Sequence, residues 1–177
     1  FCSVSLVDSP MRYAHLAAIT AAREAGAILS FDPNLRFPLW PDREQLRQTV
    51  WQFLPLTHIL KLSDEELPFL TGTEDIEAAL PRLFTGDVQL VLYTCGSKGA
   101  RAYTRTTAAS ARSPKVTAVD TTGAGDGFIG SFLWQMQRDG VTAAELAKLS
   151  RKRLTEYLTF SNRFCAVSVQ HHGAIDS

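Results

Sequence analysis

Apolar positions along this chain follow two periods in turn, and the turn-taking predicts its elements. Residues 1–6, Phe-Cys-Ser-Val-Ser-Leu, have the pattern of a buried strand that needs neighbours on both sides. Ser9-Pro10 then signals a helix start, and the alanine-rich stretch 11–25 predicts a helix ending at Gly26. A short apolar strand over 27–31 follows. Strand, helix and strand in that order argue for a parallel sheet with helical crossovers.

The alternation continues. Leu46, Val50, Phe53 and Leu54 share one face of a helix predicted over 42–54, and residues 58–62 form the next strand. A helix over 74–84 contains Pro81, which is expected to kink or end it. Residues 88–94 are a strand, and 101–118 alternate weakly, as two short antiparallel strands at a sheet edge would. Exposed Arg105 and Arg112 would discourage further pairing at that edge. Phe128, Ile129, Phe132, Leu133 and Met136 recur at helical spacing from a glycine turn at 123–125 to Asp139-Gly140. A last helical region runs from Val141 to about residue 170 with a break near 151–153, and Leu154, Leu158, Ser161 and Cys165 continue one stripe. The whole reads as an α/β domain with a mostly parallel sheet and antiparallel edge strands.

Composition narrows the function. The 177 residues suffice for one well-buried domain, and 18 Lys plus Arg against 18 Asp plus Glu give no net charge. That balance leaves no electrostatic footprint for nucleic acid or an anionic membrane, so small molecules are the expected partners. No apolar run reaches the length of a bilayer span. Cys2, Cys95 and Cys165 are odd in number and far apart, without metal-ligand spacing, and read as reduced thiols of a cytoplasmic protein. His171-His172 has no Cys or carboxylate at ligand spacing, which argues against zinc, and the basic triplet 151–153 reads as a solvated face. The chain opens on Phe1 with no initiator Met or basic leader, and reads as a piece of a longer protein.

The candidate chemistry lies at residues 120–128, Asp-Thr-Thr-Gly-Ala-Gly-Asp-Gly-Phe. A helix start carries about half a positive elementary charge and several unpaired N–H groups, so Gly123, Ala124 and Gly125 form a nest suited to an anion. Asp126 sits in the first turn as a helix-starting charge, and Asp120, Thr121 and Thr122 would also serve as plain caps. Phosphoryl transfer asks for an in-line nucleophile, a base and charge stabilisation, all of which this turn offers without a Walker lysine. No G-x-x-x-x-G-K-[ST] string occurs, which disfavours a P-loop kinase.

The 120–128 string resembles the C-terminal signature of the ribokinase-like (PfkB-type) carbohydrate kinases. The resemblance implies that Asp126 is the general base on the sugar hydroxyl and contacts the substrate. It also implies that Gly123, Ala124 and Gly125 form the anion hole for the transferring phosphoryl group, Gly125 touching nucleotide. Residues 32–40, Asp-Pro-Asn-Leu-Arg-Phe-Pro-Leu-Trp, follow a strand end, where open α/β sheets place ligands. They read as a proline-rich turn with a tryptophan plug, and their spelling resembles fructokinases and more loosely 2-keto-3-deoxygluconate kinases, where the arginine matching Arg36 faces the substrate. Ser63 and Glu66 have the spacing of a capping box. They also match the family's N-x-x-E motif, with Ser63 in place of Asn; the motif implies a nucleotide contact at Ser63 and a glutamate, Glu66, that orients Mg²⁺ through water. Residues 94–99 make a tight turn into the next strand, and resemble the family's nucleotide loop; Thr94, Gly96, Ser97, Lys98 and Gly99 become ATP contacts. Asn162 matches a residue beside the adenine, with a plain helix-surface asparagine as the other reading.

In potassium-activated members a loop like 168–177 closes a monovalent cation site. The match implies Asp120 and Thr122 with the carbonyls of Ser168, His171 and Gly173, and Ser177 completing the shell; Asp176 departs from the small or apolar residue usual there. The resemblance implies a ribokinase-like three-layer α/β/α fold, with residues 1–177 forming the C-terminal nucleotide-binding and catalytic part and the N-terminal part and β-strand lid lying outside this sequence. The expected reaction is ATP-dependent phosphorylation of fructose to fructose 6-phosphate with Mg²⁺ and a K⁺ activator, in a protein that dimerises through the lid. A 2-keto-3-deoxygluconate kinase, a ribokinase, or a non-catalytic nucleotide-binding fragment are the alternatives.

Overall fold

The structure is a computed structural model and describes residues 1–173. Its centre is a five-stranded sheet of β1 (Ser30–Phe31), β2 (Ile59–Ser63), β3 (Leu90–Thr94), β4 (Ala100–Tyr103) and β5 (Ala108–Ala111), in that spatial order. The first three strands are parallel and the last two antiparallel, with Ile59 opposite Leu90 and Ser63 opposite Thr94. The expected mixed sheet with an antiparallel edge is therefore present.

Alternation along the strands sorts the core into two layers. Leu60, Leu62, Val91 and Tyr93 face one side, where they meet α2 (Arg43–Phe53), α3 (Leu67–Thr71) and α4 (Ile76–Leu83). Ile59, Leu90 and Leu92 face the other, under α5 (Ala124–Arg138) and α6 (Arg151–Ser168). Phe132 and Tyr157 meet edge to face there, 5.4 Å between ring centroids. This is the three-layer α/β/α arrangement, and α1 (Pro10–Glu24) completes the first layer through Ile19.

Two expectations are corrected in detail. Residues 1–6 do not continue as a strand. Phe1 makes one parallel rung beside β1, donating to Ser30 O (2.9 Å) and accepting from Asp32 N (3.0 Å), and Ser3 N reaches Pro33 O (2.9 Å). The chain then coils into a 3₁₀ turn, Ser3–Leu6, in which Ser5 Oγ bonds Cys2 O (3.1 Å), the local side-chain competition that serines offer to a ladder. Pro81 does not end α4, because it falls near the end of a short helix whose last bond, Phe84 N to Leu80 O (2.9 Å), is kept. Arg105 is exposed, as expected, and it also donates to Phe84 O (2.7 Å) and stacks on that ring.

The helical break comes just before the basic triplet. A 3₁₀ segment, Ala143–Lys148, opens with a capping box of Thr142 and Glu145, and Ser150 caps α6 by accepting from Arg153 N (3.2 Å). Arg153 then clamps Asp139 and Tyr157, tying the end of α5 to α6.

Candidate active site

The C-terminal ends of β1 and β2 and the N-terminus of α5 converge on one side of the sheet. Gly123 caps α5 at φ 74°, a left-handed conformation that glycine adopts without a Cβ penalty. Ala124 N is taken by Thr121 O (3.1 Å), so the anion hole expected from Gly123, Ala124 and Gly125 is shifted by one donor. Among the described residues the N–H groups of Gly123, Gly125 and Asp126 have no backbone acceptor and remain for a ligand. Cys165 anchors the turn from behind, its Sγ donating to Ala124 O (3.2 Å), and burial pushes this thiol up to about 11, so it stays a neutral donor.

Asp126, third residue of α5, is exposed and lines a cavity of about 270 Å³ with Asp32, Asn34, Ile129 and Leu133. Asn34 turns the Asp-Pro-Asn loop through φ 45°. Asp32 is buried and pairs with equally buried Lys61, Nζ to Oδ2 2.9 Å. Burial raises the Asp32 pKa, Lys61 opposes that rise, and Glu66 and Asp126 add to it. The sequence reading missed this pair; the signal was a lysine in the middle of an apolar strand.

Glu66 makes both bonds of the capping box, accepting from Ser63 N (2.9 Å) and Ser63 Oγ (3.0 Å) while Ser63 Oγ accepts from Glu66 N (3.2 Å). Its other oxygen accepts from Leu35 N (3.1 Å), which staples the 32–40 loop to the end of β2. Oε2 is filled by its two Ser63 donors while Oε1 keeps a lone pair, so Glu66 fits a hydrated Mg²⁺ held through water and not by direct ligation. Arg36 is exposed, has no ion pair among the described residues and does not line the Asp126 cavity. Trp40 is buried, as a plug should be.

The 94–99 turn is closed by Cys95 N to Gly99 O (2.8 Å) and Gly99 N to Gly96 O (3.1 Å), with Ser97 at its tip. Thr94 holds Asp64 N through its carbonyl (2.9 Å). Lys98 lines another cavity, of about 450 Å³, with Asp64, Glu65, Glu74 and Arg101, which includes neither Asp126 nor the glycine turn. Asn162 is not a helix-surface residue: it is buried, and its Nδ2 donates to Ala111 O (2.9 Å), docking α6 on the edge strand.

Of the residues expected around a cation, Asp120, Thr122 and Gly173 meet. Asp120 Oδ1 accepts from Thr122 N (2.8 Å) and Oδ2 from Gly173 N (3.0 Å), and these donors, Thr122 first, hold the carboxyl down at about 2. Ser168 O accepts from His171 N (3.1 Å), so Ser168 and His171 belong to the same closing turn. Ser177 and Asp176 lie outside the described residues.

The site thus joins an N-terminal helix turn, with a carboxylate in its first turn, to the ends of parallel strands. The whole of residues 1–177 matches the description "pfkB family carbohydrate kinase", and the chain belongs to that family. It is 43% identical over 175 residues to probable fructokinase-4 of Arabidopsis thaliana, covering 98% of this chain and 52% of that protein. Fructokinase with bound ATP from Xylella fastidiosa superposes with a TM-score of 0.90 at 33% identity, over 98% of this chain and 55% of that one. Aminoimidazole riboside kinase from Salmonella enterica, complexed with aminoimidazole riboside and an ATP analog, gives 0.83 at 31% identity, over 98% and 56%. The chain thus spans about half the length of each of these three relatives.

Proposed function

We propose that this chain is the phosphoryl-transfer part of an ATP-dependent fructokinase. The observation that carries the reading is Asp126: an exposed carboxylate on the wall of the 270 Å³ cavity, one residue from uncommitted N–H groups at a helix start. In the proposed step Asp126 takes the proton of the sugar's primary hydroxyl, the freed oxygen attacks the γ-phosphorus of ATP, and the bond to the β-γ bridging oxygen breaks to release ADP. The N–H groups of Gly123 and Gly125 lie where charge on the moving phosphoryl oxygens would be stabilised. Mg²⁺, when bound, would neutralise polyphosphate charge, and Glu66 is the residue to orient its water shell. Asp120, Thr122 and the 168–173 turn are the place for a monovalent cation such as K⁺, which would brace the start of the catalytic turn.

Fructose as acceptor is supported by the fructokinase relatives; the riboside kinase match supports a second reading, a ribofuranoside acceptor. The test is ADP release with fructose, ribose, glucose, 2-keto-3-deoxygluconate and aminoimidazole riboside, with and without potassium. Asp126→Asn should lower kcat by about 10²- to 10⁴-fold with the fold intact. Retention of most of the turnover would remove Asp126 from the mechanism.

A further inference from the structure

Asp32 lies close enough to the carboxylates of Glu66 and Asp126 for both to push its pKa up, and one ammonium is paired with it. It belongs to Lys61, 6% exposed in the centre of β2, on the face that carries Ile59 toward α5. Its Nζ would stand only 3.1 Å from a Cβ built on Gly125. The ammonium therefore lies directly against the first turn of α5, and glycine at 125 leaves it room. Lysine has three N–H donors, and Asp32 Oδ2 is its acceptor among the described residues. Asp32 in turn has a buried Oδ1 with no partner, on a residue lining the Asp126 cavity. Buried charges of this kind are normally fully paired and hydrogen-bonded, and a pair with spare donors and a spare acceptor beside an anion-binding turn is built for something that arrives.

We propose that Lys61, held by Asp32, is a positioning and charge-bearing residue of the phosphoryl-transfer site: its ammonium, set against Gly125, adds a full positive charge to the helix start that receives the γ-phosphoryl group. The proposal rests on the reading of the glycine turn as an anion hole. A fixed charge in a water-poor site stabilises developing negative charge far more than it would in water, and it costs no reorganisation when the reaction occurs. Lys61 thus does from the neighbouring strand what a Walker lysine does from its own loop. Asp32 keeps the ammonium set against the turn.

The test uses Lys61→Met, Lys61→Arg and the double variant Asp32→Asn/Lys61→Met in the full chain. Lys61→Met should lower kcat by roughly 10²-fold while the sugar KM moves by less than about threefold, and Lys61→Arg should recover part of the loss. The single Met variant leaves a buried carboxylate alone and will lose thermal stability. The double variant carries a neutral pair of similar size and should regain that stability without regaining kcat. Recovery of both by the double variant would show the pair to be structural and overturn the proposal. Dissociation constants for ADP and for β,γ-imido-ATP separate this from the kinase reading. Loss of the γ-phosphoryl preference in Lys61→Met, in a protein that phosphorylates no sugar, would sink the kinase reading and leave Lys61 standing. An unchanged preference would overturn Lys61's role whatever the turnover.

Discussion

Gly99 closes the 94–99 turn at φ 104°, ψ −148°, and replacing it by alanine perturbs two things that can be separated. The first is backbone strain, since this φ, ψ region is nearly closed to an L side chain and costs about 1–3 kcal/mol. The second is contact: a Cβ at 99 would lie 2.2 Å from Ala111 O and 2.8 Å from Arg112 Cα and Ser113 N. The first distance is roughly 1 Å inside ordinary van der Waals contact, and all three atoms are backbone, so no side chain can swing away. Relief requires the end of β5 to part from the start of β4, where Ala100 faces Ala111. That movement would strain the Cys95 N to Gly99 O bond and the Asn162 Nδ2 to Ala111 O bond, each contributing about 1 kcal/mol. Gly99→Ala should therefore destabilise by about 3–5 kcal/mol in urea unfolding. Gly72→Ala is the control, with φ 79° and nothing within 4 Å of its Cβ, and should show the strain term alone, about 1–2 kcal/mol. Equal costs for the two variants would refute the close approach of the turn to the edge strand. Nucleotide affinity should fall in Gly99→Ala and not in Gly72→Ala.

Two further outcomes follow from the same contacts. Asp120 is held at about 2, below its ordinary 3.8, so its ionised form favours the folded state. That contribution is complete above about pH 4 and is lost as pH falls through 2; the stability gap between wild type and Asp120→Asn should be constant from pH 7 to 5 and shrink between pH 4 and 2. A gap that persists at pH 2 would contradict the assignment, and loss of any potassium activation in the same variant would tie the carboxylate to the cation. Asn162→Ala removes the one side-chain bond from α6 to Ala111 and should cost about 1–2 kcal/mol in urea unfolding, with faster amide exchange in β5; an unchanged exchange rate there would show the bond to be incidental.

Local signals were legible because they are written by neighbours in the chain. The Ser63–Glu66 box, the glycine cap of α5, the helix from Ala124, the edge hairpin and the α/β class all rest on residues within a few positions of one another. The strand expected over 1–6 failed for a related reason: apolar spacing described burial, which Leu6 does have, while the serines between offered the backbone a local alternative. Where the local sequence left two readings open, as at Asn162, it was the packing of α6 against β5 that decided which role the amide took.

The sequence by itself determined the glycine turn, its carboxylate and the family resemblance, because a helix start depends on backbone conformation that glycine and aspartate impose locally. Only the tertiary structure decided what surrounds that turn. Lys61 reaches Asp32 across 29 residues, Leu35 reaches Glu66 across 31, and Gly173 reaches Asp120 across 53. Those partners are brought together by parallel crossovers and by the return of α6, so the charge balance of the site depends on how strands and helices pack and not on any short stretch of chain.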